Sequence, residues 1–397
     1  MRILFLSRWF PSPPSNGSKL RVLKLLGGLA QRHDVTLLAF ADEPGADPDA
    51  PELRSLCREV VAVPWRSYDS SSAKARLGLL SPAPRSLVDT YSTEMARCIR
   101  ARLAAGSYDL VIASQLGAAI YVDSFAGRPA VFEEVEVGGL RDRYARGTTL
   151  RQRLRSGLTW AKHRRYLAGL LRAYRGCTVV SERERDLLSG VASAAPIAVI
   201  PNCVDLSDYA TDDADEADAP RPGTLVFSGS FRYHANHQAM SWFTKEVFPL
   251  VRAACPDARL TITGDPAGET LADLDNVTIA GFLDDVRPTV RRSWLSVAPI
   301  LEGGGTRLKI LEAMALRSPV VATTKGAEGL DARSGEHLLI ADTPAEFAAA
   351  VVRVLRSPEL RRALADNAYE LVRARYDWAA VMPRFLDLVE RVGRSTS

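Results

Sequence analysis

Leu295–Ala315 reads LSVAPILEGGGTRLKILEAMA and holds a strand, a loop and a helix in one stretch. The apolar run predicts a buried strand ending at Pro299, the glycines at 303, 304 and 305 a flexible loop, and the remainder a helix from about Thr306. Successive glycines let backbone N–H groups come close to an anion, and a helix N-terminus adds positive potential. Arg307 and Lys309 put two full charges in the first turn, where the helix dipole by itself favours acids. The stretch therefore predicts a bound diphosphate, with Arg307 forking onto two oxygens and Lys309 acting as a point charge. Glu312, one turn on, is suited to accept hydrogen bonds from a ribose diol. The plain alternative is a glycine turn followed by a solvated Arg, Lys and Glu.

Outward from this stretch, short apolar strands alternate with amphipathic helices, which implies parallel sheets covered on both faces. One series comprises Leu225–Gly229, Arg259–Thr263, Val277–Ala280, Ser296–Ile300 and Val320–Ala322. An earlier one comprises Ile3–Leu6, Asp34–Phe40, Val60–Val63, Leu110–Ala113, Ala130–Glu134, Thr178–Ser181 and Ala198–Ile200. Helices are expected from about Ser18 to Arg32, from about His237 to Ala254 and within 344–392, where no further strand is expected. Residues 211–222 (TDDADEADAPRP) are acidic, contain prolines and lack apolar periodicity, as a linker does. The expected fold class is α/β, with two doubly wound Rossmann-like domains facing a central cleft. They span 1–210 and 223–375, and 376–397 forms a C-terminal helix crossing back to the first. Open α/β sheets bind ligands at the C-terminal ends of their strands, so the cleft is the expected site.

Composition narrows the function classes. The 397 residues are 47% apolar and 25% charged, ordinary values for chains that bury large cores. A net charge of +4, from 51 basic and 47 acidic residues, gives no reason to expect a nucleic-acid partner. Cys57, Cys98, Cys177, Cys203 and Cys255 are few and lack metal-ligand spacing, which fits free thiols in a reducing cytoplasm. Arg8 interrupts the first apolar run, which is too short for a signal peptide or a membrane span. Any membrane association is then peripheral, at the inner face. Arg141–Arg175 concentrates basic residues around a lone acid, Asp142. Its helical stretch either docks on an anionic membrane or a phosphate-bearing acceptor, or is a solvated face.

The Gly-rich stretch continued through LEAMALRSPVVATTKGAEGL resembles the C-terminal domain of retaining glycosyltransferases of family four, which have the GT-B fold. FSGSFRYHAN (227–236), ARLTITG (258–264), IAGFLDD (279–285) and Tyr376–Trp378 resemble its further motifs, and VVSE (179–182) and VIPNCVD (199–205) its segment before the linker. The resemblance implies transfer of a sugar from a nucleotide-diphosphate sugar, UDP- or GDP-linked, to an acceptor hydroxyl with retained configuration. The donor serves as co-substrate; no separate cofactor and no metal are expected, and a retaining front-face reaction needs no protein nucleophile. The acceptor is a glycan, a lipid-linked molecule or a small molecule.

Relatives commonly carry a Glu-x7-Glu pair whose second member matches Glu312; at the first position this chain has Gly304. Many also use a basic pair after the first strand of this domain, where GSFRYHAN offers only Arg232. Arg307 and Lys309 are expected to replace that pair, and Gly229 and Ser230 to donate backbone N–H groups to phosphate. Either backbone groups of Gly281–Leu283 read the nucleobase with Phe282 packed nearby, or Phe282 belongs to the core.

In the first domain, Asn16 and Gly17 lie in the loop after the first strand, where they face the ligands or cap a helix. Glu133, Glu134 and Glu136 cluster at a strand end; Glu134 and Glu136 are expected to share a face and either bind the acceptor hydroxyl, with a role as base open to them, or form a solvated rim. Gln115 and Ser114 stand where some relatives have a His. Two other readings keep the fold: a noncatalytic sugar-nucleotide-binding protein, and a nucleotide-sugar epimerase or hydrolase. No Gly-x-Gly-x-x-Gly follows the first strand, which disfavours a dinucleotide-dependent oxidoreductase.

Overall fold

In the computed structural model, residues 1–139, 141, 149–191, 195–210, 219–268, 275–303 and 307–394 are described. The chain divides into two compact units, Met1–Asn202 with Met382–Ser397, and Cys203–Val381. Of the expected linker at 211–222, residues 211–218 lie outside the described residues, while Arg221 and Pro222 already belong to a strand; the division into units falls after Asn202.

Among its described residues the first unit holds seven strands: β1 (Arg2–Ser7), β2 (Asp34–Ala41), β3 (Glu59–Pro64), β4 (Leu110–Ser114), β5 (Ala130–Glu133), β6 (Gly176–Val179) and β7 (Ile197–Val199). Their order is β3-β2-β1-β4-β5-β6-β7, and the pairings are parallel. β1 and β4 are buried on both faces, as continuous apolar runs in a covered parallel sheet must be. The register sets Ser7 beside Ser114 and Ser114 beside Glu133, so three polar side chains close the C-terminal edge of an apolar sheet. The helix Gly17–Ala30 starts where the Asn16 side chain accepts the Lys19 N–H.

The second unit holds β8 (Arg221–Ser228), β9 (Arg259–Thr263), β10 (Val277–Gly281), β11 (Ser293–Ala298), β12 (Val320–Ala322) and β13 (Leu339–Ile340), in the order β10-β9-β8-β11-β12-β13. β13, two residues long, carries no alternation or run that the sequence could reveal. The helix expected from about His237 to Ala254 begins at His234 and is continuous only through a π-turn at Phe243–Val247, which precedes Phe248–Ala254. The helix after the Gly-rich loop starts at Leu308, not Thr306, with Arg307 in the cap position and without a side-chain cap. The last helix, Trp378–Arg394, runs from the second unit into the first.

Candidate functional site

In the second unit, backbone crowding after β8 prepares a pocket for one lysine. Gly229 has φ +154°, and a Cβ there would lie 2.6 Å from Lys309 Nζ and 2.9 Å from Asn236 Nδ2. Gly264, after β9, has φ +112°, and a Cβ there would lie 2.5 Å from the Gly229 carbonyl carbon and 2.7 Å from the Ser230 nitrogen. Both positions need glycine for conformation and for room. The Lys309 ammonium donates to Asn236 Oδ1 at 2.8 Å and lies 4.1 Å from the centre of the Phe227 ring. Burial, and after it the Arg307 charge, lower its pKa to about 7 against the opposing effect of Glu312.

Arg307 is buried rather than displayed in a first helical turn. One amino group donates to the carbonyls of Gly303 at 2.9 Å and Lys325 at 3.3 Å, so the guanidinium ties the Gly-rich loop to the segment after β12. Burial lowers its pKa too. Glu312 accepts from the Tyr209 hydroxyl at 3.4 Å; burial raises its pKa, with Tyr209 and Lys309 opposing. Gly303 sits against Tyr233, whose hydroxyl would lie 2.1 Å from a Cβ there. Arg232 is exposed and pairs with Asp265, and the Ser230 hydroxyl donates to the Asp265 carbonyl at 3.3 Å. Phe282 is 74% exposed, which rules out the core alternative. Gly304, Gly305 and Thr306 lie outside the described residues.

In the first unit the three neighbouring glutamates have separate environments. Glu133 is fully buried and receives Arg21 Nε at 2.8 Å, Arg21 Nη2 at 2.7 Å and the Ser114 hydroxyl at 2.6 Å. Arg21, equally buried, also donates to the carbonyls of Ile200 and Pro201 and to Asn202 Oδ1, so this pair binds helix Gly17–Ala30 to the chain after β7. β5 ends at Glu133, and Glu134 has φ +58°; Glu134 and Glu136 therefore do not share a strand face, because the chain turns between them. Gln115, at the end of β4, has φ +66°. Positive φ at non-glycine residues is strained and concentrates at functional positions. These two are joined: Gln115 Nε2 donates to Glu134 Oε2 at 2.7 Å, while Gln115 Oε1 accepts from Trp9 Nε1 at 2.7 Å. Burial, with Glu133 adding to it and the Arg21 charge opposing, raises the Glu134 pKa to about 7. Glu136 is exposed at residue level, yet burial of its carboxyl raises its pKa. Asn16 caps a helix, and Gly17 is its first residue.

Asn236, Tyr209 and Trp9 escaped the sequence reading. Asn236 stands in the quoted stretch after β8, but nothing in the sequence pairs it with a lysine 73 positions away. Among the described residues, no group of three or more His, Cys, Asp or Glu is placed to hold a metal ion, and no helix is long and apolar enough to cross a membrane. All five cysteines are free.

The family model described as Glycosyltransferase Family 4 matches residues 15–208, and that described as Glycosyl transferases group 1 matches 222–357. The chain belongs to the family 4, group 1 glycosyltransferases. It is 32% identical over 208 residues to a phosphatidyl-myo-inositol mannosyltransferase of Mycobacterium leprae, covering 50% of this chain and 54% of that one. It is 26% identical over 164 residues to an uncharacterized 44.6 kDa protein in the cps region of Klebsiella pneumoniae, covering 38% and 42%. The chain thus spans about half the length of the curated relatives it matches. HepE of Anabaena, solved in complex with UDP, superposes with a TM-score of 0.68 at 17% identity, over 98% of this chain and 100% of that one. The fold of this family 4 chain is α/β of the GT-B type, with two parallel sheets flanked by helices.

Proposed function

We propose that this chain transfers a glycosyl group from a nucleotide-diphosphate sugar, UDP- or GDP-linked, to an acceptor hydroxyl, with retention of configuration and without a metal. The observation that carries the reading is the Lys309 ammonium, packed against Phe227 and Asn236 where Gly229 and Gly264 leave room for it. A buried cation with a depressed pKa is favoured in its charged form by an anion, and the diphosphate gains negative charge as the glycosyl bond breaks. Lys309 and the backbone N–H group at Ser230 then stabilise the leaving group; the Gly229 N–H, also expected to donate, is taken by the Thr263 carbonyl at 3.1 Å because it continues the strand pairing. Arg307, bonded to the carbonyls of Gly303 and Lys325, serves the same phosphates as a support for the backbone at Gly303 before it serves as a phosphate ligand. Glu312 with Tyr209 is suited to the ribose diol. Arg232 stands at the rim, and Phe282 offers an exposed ring to a base.

On the acceptor side, Glu134, oriented by Gln115, has the near-neutral pKa suited to receive a hydroxyl proton. Glu136, Asn16 and Gly17 line the acceptor in this reading. HepE was solved with UDP, which supports a UDP-linked donor. The mannosyltransferase relative is named for a phosphatidyl-inositol acceptor, which supports a lipid-linked acceptor; in this reading the chain meets it at the cytoplasmic face of a membrane.

The test is a panel of nucleoside diphosphates and their sugars scored by thermal shift, because a ligand that binds the folded state raises the melting temperature. Glycosyl transfer with the donors that bind is then measured with and without EDTA. A UDP or GDP sugar is expected to stabilise the protein, with transfer unaffected by EDTA and lost at least a hundredfold in Lys309→Ala. Binding of UDP or GDP sugars unchanged in Lys309→Ala overturns the phosphate assignment, and consumption of donor without transfer to any acceptor overturns the transferase reading.

A further inference from the structure

Six leucines that the two cores do not use stand on one face of the first unit. The helix Leu150–Leu171 buries only Leu167, Leu170 and Leu171. Its N-terminal half shows Leu150, Leu154 and Leu158, between 60% and 75% exposed. Spaced four apart, they form a single row on the helix, and the next member of that row is Lys162. Lys162 Nζ donates to the carbonyl of Gly78 at 2.9 Å. Gly78 is flanked by Leu77 and Leu79, and with Leu80, 90% exposed, these make a second group of bare leucines at the end of the same row. A capping box at Thr149 and Gln152 fixes the exposed end of the helix.

The two segments that carry these leucines hold charge of one sign; the acids beside the start of the shorter one, Asp69 and Asp89, are engaged by Ser71, Ser72 and Arg66. Helix Leu150–Leu171 and the segment 73–80 contain no Asp or Glu, while Lys74, Arg76, Arg151, Arg153 and Arg155 are all exposed. A second copy of this face would bring cations against cations, so the patch is not complementary to itself. Leucines projecting beside flexible basic side chains match an interface whose outer layer is anionic and whose inner layer is hydrocarbon.

We infer that this face, formed by Leu77, Leu79, Leu80, Leu150, Leu154 and Leu158 with their flanking Arg and Lys residues, is a docking surface for an anionic lipid bilayer. The leucines enter the acyl boundary while the arginines meet headgroup phosphates. The inference deepens the proposal of an acceptor met at a membrane, and vesicle binding is read without donor or acceptor, so the two readings fail separately.

The experiment is cosedimentation of the full chain with vesicles of phosphatidylcholine alone and with about a third phosphatidylglycerol, at low and moderate salt. Binding to the anionic vesicles is expected to exceed binding to the neutral ones at least tenfold and to fall with salt. Leu80→Ser/Leu154→Ser/Leu158→Ser and Arg151→Gln/Arg153→Gln/Arg155→Gln should each lose at least tenfold, with circular dichroism and melting temperature near wild type because all six positions are exposed. Equal binding to neutral vesicles, no binding to anionic ones, or undiminished binding by both variants overturns the inference. So does self-association that the leucine variant abolishes while vesicle binding survives, since the patch would then join two copies.

Discussion

Glu133, Glu134 and Glu136 are alike in sequence, and only their surroundings separate them. Glu133 neutralises Arg21 in the interior, whereas Glu134 is turned into the left-handed region and faces Gln115. Alternation along a strand predicted a shared face for Glu134 and Glu136, and it failed because the strand stops one residue earlier, which side-chain pattern does not encode. The environment of Glu134 has a thermodynamic consequence. Its folded pKa of about 7 lies above the unfolded value, so between pH 4.5 and 7 the native state holds more protons and stability falls as pH rises. Glu134→Gln removes the ionisation and keeps the shape. The variant should therefore be more stable than wild type at pH 8, by about 1–3 kcal/mol, with the gap closing by pH 5. Thermal melts at the two pH values check this, and a constant gap would mean that Glu134 ionises freely.

Lys309 titrates in the opposite sense. With a pKa of about 7 in the free protein it is mostly neutral at pH 8, and a diphosphate draws a proton onto it. Binding of UDP or GDP at pH 8 should take up close to one more proton in wild type than in Lys309→Gln, a difference that vanishes by pH 6. Calorimetry in buffers of low and high ionisation enthalpy measures it; equal uptake by the two proteins would show that Lys309 does not meet the phosphates.

At the scale of elements, the strands were legible because a buried parallel strand is a short apolar run bounded by polar turns, as β1, β4 and β12 are, or an alternation of apolar and polar residues, as β9 is. The loops between strand ends and helices were legible in composition but not in conformation. That Arg307 caps the helix from outside depends on the carbonyl of Lys325, contributed by a turn 18 residues on, and no local signal announces it. Gly264 is a similar case: it closes the motif ARLTITG, but its role is the space it leaves for the Gly229–Ser230 peptide. Gly264→Ala places a methyl within 2.6 Å of the Gly229 oxygen and forces an L-residue into φ +112°. The expected cost is about 1–3 kcal/mol from the backbone conformation alone. Nucleoside diphosphate affinity should fall with it, since the displaced turn is the one that seats Lys309. Titration of UDP and GDP into the purified variant reads this directly, and wild-type affinity for whichever nucleotide binds would separate Gly264 from the phosphate site.

Over the whole molecule, the chain leaves its first unit at Asn202 and returns to it at Met382. The returning segment fits onto glycines that the sequence reading passed over. A Cβ on Gly28, in helix Gly17–Ala30, would lie 2.1 Å from Met382 Sδ, and one on Gly176, at the start of β6, would lie 3.0 Å from Val392 Cγ2. Phe385, Leu386, Leu388, Val389 and Val392 are buried in this arrangement. Each such side chain contributes about 1.5–3 kcal/mol on burial, so together they approach the 5–15 kcal/mol that holds a domain folded. A chain ending at Val381 should therefore lose the first unit and keep the second, whose core is built from residues 204–376. Hydrogen exchange resolves the two: amides of β1, β2 and β4 should exchange at unfolded rates, while those of β8, β9 and β11 stay protected. Native protection in β1 and β4 of the truncated chain would mean that the first sheet is stable without its last helix, and that the glycines at 28 and 176 are incidental to it.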